Sequence, residues 1–299
     1  MSNNTLLSII SHRYYDKNKA FWRMINNIEL KNVDIVVTFQ DKDIYDSVCD
    51  NTEVKTEYIK GNCQGDNRLN ASKRFGEYEY VILMDDDISS VSRCYQKEGK
   101  LGRTLPVKGL SQDEKYSRIS TDFNYFITGG IDKLNSGYSC VMAQQKFFCE
   151  YYEDRYKDSK VTSCTELAIW KSKDLLKCID NLNKYEYIKY HADDIFYEFY
   201  MSNNEMKFTC DTFTTINTTL GNSNKSVIRD PNYDKVLPIF DIVFLNKLFP
   251  NVLYRKMPTG YYKPVFKRGK QVGEEIYDRF NVLRVQPEFA KYAQLMEEL

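Results

Sequence analysis

YVILMDDD, the segment from Tyr80 to Asp87, is the strongest structural signal in the sequence. The apolar run Tyr80–Met84 predicts a buried strand. Side chains alternate along a strand, so Asp85 and Asp87 should point to one face and Asp86 to the other. Carboxylates at the end of a buried strand repel one another and resist desolvation. A hard divalent cation would offset that cost, so the pattern favours a metal site over a solvated acidic turn.

The residues before this strand alternate between strand-like and helix-like patterns. Strand patterns lie at Leu6–Ile10, Asp34–Phe39 and Glu57–Lys60, and helical patterns lie at Asp16–Leu30 and Asp66–Phe75. Repeating β-α units predict an α/β fold with a mostly parallel sheet and helices on both faces. In such sheets, ligands bind at the carboxyl ends of the strands.

The pattern is lost after the aspartates and returns later. Residues 89–120 carry seven basic and three acidic side chains and predict a long loop, which is usually functional or mobile. Regular structure is predicted at Asn124–Gly130, Tyr138–Phe148, Cys164–Ile179, Asp193–Met201 and Met206–Ile216. We expect one domain at 1–221, built from two halves at 1–90 and 120–221. Residues 222–299 would form a basic, helical extension packed on the same domain.

Composition and missing motifs exclude several classes of protein. Lys and Arg number 42, as do Asp and Glu, so any nucleic-acid surface must be a local patch. No CxxC pair occurs among the eight cysteines, and the first glycine is Gly61, too late for an early dinucleotide or phosphate loop. HExxH and GxSxG are absent too. No apolar run approaches about 18 residues, so we expect a cytoplasmic protein without membrane contact.

These features resemble the GT-A class of nucleotide-sugar glycosyltransferases, well over residues 5–90 and loosely over 160–216. In that class a strand ends in Asp-x-Asp, which holds Mn²⁺ or Mg²⁺ against the diphosphate of the donor. The resemblance implies that the domain at 1–221 is catalytic, with its donor half at 1–90 and its acceptor half at 120–221. It also implies Asp85 and Asp87 as metal ligands and Asp85 and Asp86 as donor contacts. In that class an adjacent Arg and Asn on the preceding helix usually contact the donor. In this sequence Leu69 lies between Arg68 and Asn70. The further donor contacts that the resemblance implies are His12, Arg13, Gln40, Asp41, Arg68 and Asn70.

A second acidic group, Asp193-Asp194, follows His191 and precedes an apolar stretch. Many GT-A enzymes carry an acidic pair at such a helix start, facing the acceptor. The resemblance implies that Asp194 or Asp193 takes the proton of the acceptor hydroxyl as general base. It also implies His191 as a metal or phosphate contact. The alternative is N-capping, because Asp at a helix start satisfies unpaired N–H groups.

A basic window near the C-terminus bears on the acceptor. Residues 251–273 contain no acid and interleave aromatic side chains with the cations Arg255, Lys256, Lys263, Lys267, Arg268 and Lys270. Cations suit phosphates and rings suit bases, which favours a nucleic-acid strand. The alternative is an ordinary solvated face. The chain also resembles a bacteriophage GT-A group that glycosylates hydroxymethylated pyrimidines in DNA, which implies reaching the base in the major groove or flipping it out.

The sequence therefore predicts a metal-dependent glycosyltransferase that moves a hexose or pentose from a UDP-sugar to hydroxymethylated pyrimidines of phage DNA. It would act in the host cytoplasm as a monomer or small homo-oligomer. One alternative is a GT-A enzyme acting on a surface glycan or a lipid-linked saccharide. A sugar nucleotidyltransferase is disfavoured by the missing glycine-rich loop, and a non-enzymatic DNA-binding protein is disfavoured by the intact Asp85 and Asp87.

Overall fold

Apolar, β-branched runs form strands and amphipathic stretches form helices along most of the chain. The computed structural model describes residues 4–11, 15–61, 64–97, 100–102, 109–145, 154–158, 164–185, 193–218, 245, 248, 249, 261–267 and 270–277. Strands β1 to β13 span Thr5–Ser11, Val33–Phe39, Lys55–Tyr58, Tyr80–Asp85, Ile88–Arg93, Tyr95–Lys97, Lys100–Gly102, Cys140–Gln145, Tyr156–Lys157, Leu167–Lys171, Phe208–Thr218, Tyr261–Lys267 and Lys270–Tyr277. Helices α1 to α6 span Ala20–Ile25, Lys42–Cys49, Gln64–Ser72, Gln112–Asn135, Ser172–Leu182 and Asp193–Asn203.

Nine strands form one mixed sheet in the order β3-β2-β1-β4-β10-β8-β11-β5, with β9 paired to β11. Strands β1 to β4 are mutually parallel, and β8 and β11 run in the same direction. Strands β5, β9 and β10 oppose them. The predicted α/β class with a mostly parallel sheet is therefore confirmed.

Helices cover both faces of the sheet. On one face, Leu7 of β1 and Ile82 of β4 share a core with α1, α2 and α4. On the other face, Trp170 of β10 packs edge-on against Tyr197 of α6, with ring centroids 5.9 Å apart. Helix α5 contacts both α3 and α6. Because side chains alternate along β4, Asp85 belongs to the face of α3, α5 and α6.

The prediction of a loop over residues 89–120 is wrong for most of the residues that the structure describes there. Strand β5 and the short β6-β7 hairpin occupy its first half, and α4 begins at Gln112. Ser111 Oγ accepts from Glu114 N, and the Glu114 side chain accepts from Ser111 N at 2.7 Å. This capping box satisfies unpaired N–H groups at the helix start, and its S-x-x-E signal was overlooked in the sequence. Arg93 is thus a sheet residue, whereas Lys115 and Arg118 lie on a helix.

The chain divides into two compact units, Met1–Val227 and Ile228–Leu299. In the second unit, β12 and β13 pair as an antiparallel hairpin. The extension was expected to be helical, but Tyr261–Lys267 and Lys270–Tyr277 are strands. Aromatic and β-branched residues in these segments favour strands. No helix among the described residues is long and apolar enough to cross a membrane.

Gly130 of α4 allows this helix to approach the sheet closely. A Cβ there would lie 2.6 Å from Cγ2 of Ile169, a fully buried residue of β10. We expect Gly130→Ala to lower the free energy of unfolding by about 1–3 kcal/mol, because the core would be overpacked. Elsewhere in a helix the same change stabilises by roughly 0.5–1 kcal/mol. Urea unfolding measures the difference. A Cβ at Gly76 would have no heavy atom within 4 Å, so Gly76→Ala should be at least as stable as the wild type. A stabilised Gly130→Ala would contradict the close approach.

Candidate functional site

The carboxyl end of β4 is held between two neighbouring strands. Asp85 is in register with Ile10 of β1. Its backbone N–H donates to the carbonyl oxygen of Glu166, directly before β10, at 2.9 Å. Because β1, β2 and β3 are parallel to β4, their carboxyl ends lie at the same edge of the sheet. Residues that follow these strands therefore lie at the same edge of the sheet as Asp85, and those after β1 are the nearest to it, because β1 is the one of the three that pairs with β4.

Acidic side chains crowd Asp85. Burial raises the pKa of its carboxyl well above the ordinary value, although part of its surface remains accessible. The Arg68 guanidinium counteracts this increase, whereas the charges of Glu166, Asp87 and Asp86 raise the pKa further. The cluster therefore holds four carboxyl groups and one cation at a single edge of the sheet. Its ionised form would be stabilised by additional positive charge.

Asp86 has a contact of its own on the other side of the strand. Ser11, the last residue of β1, donates from Oγ to Asp86 Oδ2 at 2.8 Å, and Asp86 is only 9% exposed. The hydrogen bond ties the turn after β4 to the end of β1. Asp86 therefore has a structural role, and its expected contact with a donor stays a prediction.

Helix α3 supplies the basic partner of the cluster. Arg68 is 4% exposed, and its charge acts on Asp85. Asn70 lies on the same helix, and its Nδ2 donates to the carbonyl oxygen of Lys60 at 3.0 Å. This bond ties α3 to the segment after β3. The two expected donor contacts of the helix thus have different surroundings, one beside the carboxylates and one bonded to the backbone.

Other expected donor contacts follow β1 and β2. Gln40 comes directly after β2 and is half-buried. Asp41 is the N-cap of α2, where its Oδ1 accepts from Asp43 N at 2.9 Å and from Ile44 N at 3.1 Å. One oxygen of Asp41 therefore already has a structural role. His12 and Arg13 lie outside the described residues.

Asp193 and Asp194 are the first two residues of α6, which confirms the predicted helix start. His191 lies outside the described residues. Within α6, Glu198 Oε1 lies 3.9 Å from Sγ of Cys164, two residues before Glu166. Asp194 is about 6 Å along the helix axis from Glu198, at 1.5 Å per residue. Glu198, one helical turn after Asp194, therefore lies near the segment that carries Glu166.

Glu166 was missed in the sequence. It precedes the apolar run of β10, so the available signal was a carboxylate at the end of a buried strand, as at Asp85. Nothing local shows that β10 lies antiparallel beside β4, yet this pairing brings Glu166 to the same edge. Ser11 was missed for the same reason, because its contact with Asp86 joins residues 75 positions apart.

The basic window is described only in part. Arg255, Lys256 and Arg268 lie outside the described residues. Lys263 and Lys267 are on β12 and Lys270 is on β13. The register places Lys267 opposite Lys270 but Lys263 opposite Glu275. Lys267 and Lys270 are therefore paired at the turn end of the hairpin, whereas Lys263 is paired with an acidic residue, Glu275.

The carboxylates at the end of β4 supply part of what a divalent cation needs. No group of three or more His, Cys, Asp or Glu side chains arranged to hold a cation occurs within the part of the chain that the structure describes. Asp85 and Asp87 are hard oxygen donors, and burial, together with repulsion from the neighbouring carboxylates, raises the pKa of Asp85. A divalent cation would relieve that repulsion. These two residues thus fit as part of a ligand set, whose expected third member is His191.

Comparisons with known proteins give weak similarities. No protein-family model and no curated protein matches the sequence. The chain is similar to the crystal structure of S. aureus TarS, with a TM-score of 0.45, 10% identity and coverage of 84% of this chain and 40% of that one. It is similar to a cytidylyltransferase from Leptospira borgpetersenii, with a TM-score of 0.41, 12% identity and coverage of 70% and 74%.

A third similar structure is a 4-diphosphocytidyl-2C-methyl-D-erythritol synthase from Anaerococcus prevotii. Its TM-score is 0.38 at 12% identity, with coverage of 83% of this chain and 96% of that one. All three TM-scores are below 0.5, so nothing about the substrate of this chain follows from them. The chemistry of the site has to come from its own residues.

Proposed function

We propose that this protein is a glycosyltransferase that takes a sugar from a nucleotide-sugar donor, with a UDP-sugar as the expected donor. The observation that carries the proposal is the cluster at the carboxyl end of β4. There Asp85, Asp86 and Asp87 meet Glu166 and the buried Arg68. This is the edge of a mostly parallel sheet where ligands bind.

The roles of the residues follow from their charges. Asp85 and Asp87 would hold Mn²⁺ or Mg²⁺, which when bound supplies Lewis-acid stabilisation of the departing diphosphate. Arg68 would donate to a phosphate oxygen through its planar guanidinium. Ser11 fixes the turn that carries Asp86 and Asp87 through its hydrogen bond to Asp86. The cluster would thus orient the diphosphate and neutralise its charge.

The acidic pair at the start of α6 would supply the base. Asp194, or Asp193 in its place, would take the proton from the acceptor hydroxyl. The acceptor oxygen then bonds to the anomeric carbon as the bond from that carbon to the diphosphate oxygen breaks. The position of α6 supports this role, since Glu198 contacts Cys164 near Glu166. The other carboxylate of the pair can cap the helix.

A donor screen tests the proposal. The full chain is incubated with Mn²⁺ and a panel of UDP-, GDP- and CDP-sugars, and nucleoside diphosphate release is followed with and without hydroxymethylated DNA. We expect release from one class of donor, with the transferred sugar recovered on an acceptor or as free sugar. Release of pyrophosphate from a nucleoside triphosphate and a sugar phosphate would instead identify a nucleotidyltransferase. Inactivity towards every donor would contradict the proposal.

Hydroxymethylated DNA is the acceptor that we propose, with a surface glycan or a lipid-linked saccharide as the alternative. The support is the basic window, in which Lys267 and Lys270 lie opposite each other in the hairpin. If the window contacts phosphates, replacement of Lys267, Arg268 and Lys270 by Ala should weaken DNA binding. Each lost contact should also flatten the slope of log K against log salt by about 0.9. Fluorescence anisotropy over a salt series measures both effects.

A matched triple variant controls for the loss of three charges. Lys73, Lys173 and Lys207 are exposed and lie towards the opposite edge of the sheet from Asp85. Their replacement by Ala should leave the salt slope unchanged, and neither triple variant should alter donor hydrolysis without DNA. A wild type without salt-dependent DNA affinity, or equal loss in both triple variants, would rule out the window as the acceptor surface.

A further inference from the structure

Asn67 of α3 is a buried amide for which the described part of the chain offers no hydrogen-bond partner. The residue is 1% exposed, and neither Nδ2 nor Oδ1 has a hydrogen-bond partner among the described residues. The amide can donate two hydrogen bonds and accept two. Leaving such a group buried and unbonded costs folding free energy, and native proteins seldom do so without a reason. A ligand that completes these bonds is such a reason.

The amide lies at the same edge of the sheet as Asp85. A Cβ at Gly61 would overlap Oδ1 of Asn67 and lie 3.3 Å from its Cγ. Gly61 comes three residues after β3, whose carboxyl end shares the edge with the carboxyl end of β4. Glycine at this position therefore leaves the space that the Asn67 side chain occupies. Arg68, the residue after Asn67 on α3, lowers the pKa of Asp85 through its charge.

Asn70 contrasts with Asn67 although both lie on α3. The Nδ2 of Asn70 already donates to the carbonyl oxygen of Lys60, and its side chain is partly exposed. It ties the helix to the preceding segment and has a structural reason to be an amide. Asn67 has no such bond in the described structure. Of the two, Asn67 is the amide that remains to be satisfied.

We propose that Asn67, rather than Asn70, binds the donor, and that it recognises a ligand edge offering both a hydrogen-bond donor and an acceptor. This inference rests on the proposed function. Phosphate oxygens only accept, so a diphosphate would satisfy Nδ2 and leave Oδ1 unbonded. A nucleobase edge or a sugar hydroxyl satisfies both atoms. Arg68 therefore takes the phosphate side of the donor, and Asn67 takes its nucleoside or its sugar.

Binding to variants of the full chain tests the assignment. Asn67→Ala and Asn67→Leu are titrated with UDP, with UDP-glucose and with inorganic pyrophosphate in the presence of Mn²⁺, by calorimetry. We expect affinity for UDP or for UDP-glucose to fall about tenfold or more, with pyrophosphate affinity unchanged. If affinity falls for both UDP and UDP-glucose, Asn67 binds the nucleoside. If affinity falls for UDP-glucose alone, Asn67 binds the sugar. Unchanged affinity for both overturns the inference.

Thermal unfolding without ligand separates a binding role from a structural one. Asn67→Leu keeps a similar volume and removes an unbonded polar group, so its midpoint should equal or exceed that of the wild type. Asn70→Ala loses the bond to Lys60 and should unfold at a lower temperature. Asn181→Ala removes an amide of α5 that bonds to Lys177 and Tyr200, and it should leave all three affinities unchanged. A lower midpoint for Asn67→Leu would make Asn67 structural and overturn the inference.

The failure of the proposed function is distinguishable from the failure of this inference. If the wild type binds neither UDP nor the diphosphates of cytidine, guanosine and adenosine, the proposed function fails and this inference fails with it. If the wild type binds one of them and both Asn67 variants bind that diphosphate and its sugar derivative equally well, only the assignment of Asn67 fails.

Discussion

Asp85→Asn is expected to reduce sugar transfer by about a hundredfold or more while leaving the fold intact. The change removes a charge and keeps the volume of the side chain, so the cation and the departing diphosphate lose a carboxylate that would position them. The folded state should not suffer, because burial and the charges of Glu166, Asp87 and Asp86 oppose ionisation of Asp85. Product formation in Mn²⁺ and the thermal midpoint are the two measurements.

Three comparisons make the result specific to the cluster. Glu79→Gln alters an exposed carboxylate directly before β4, at the opposite end of the same strand, and should retain activity. Asp87→Asn should behave like Asp85→Asn. A chelator should inhibit the wild type, with activity restored by excess Mn²⁺. Full wild-type activity in excess chelator would contradict a metal role for Asp85 and Asp87.

Asp194→Asn is expected to lower kcat by about 10²–10⁴-fold and to leave donor affinity nearly unchanged. The reason is that a general base acts on the acceptor hydroxyl and is not needed to hold the nucleotide. The acidic limb of the pH profile of kcat should also disappear, because it reports the base. Steady-state kinetics over pH and donor titration give these quantities separately.

Asp193→Asn is the matched variant, since the two acids are adjacent at the start of α6. If kcat falls in Asp193→Asn and not in Asp194→Asn, Asp193 is the general base and Asp194 is the helix cap. If both variants keep kcat and unfold at a lower temperature, the pair caps the helix and the base lies elsewhere.

Local patterns in the sequence determined much of the framework. The apolar run before Asp85 becomes β4, the repeated β-α pattern becomes the parallel half of the sheet, and α6 starts at Asp193 as predicted. These features are predictable because a buried strand or an amphipathic helix is specified by residues within a few positions of one another. The start of α4 was equally local, and its Ser111–Glu114 capping box could have been found.

Only the tertiary structure decided which side chains meet. Glu166 reaches Asp85 because β10 enters the sheet antiparallel between β4 and β8, a pairing between residues some 80 positions apart. Asn67 and Asn70 are the same residue type on one short helix, and sequence alone does not separate them. Their environments do: one amide is bonded to the backbone of Lys60, and the other is enclosed over Gly61. Burial and hydrogen bonding depend on what packs around a side chain, and that is set by contacts between distant parts of the chain.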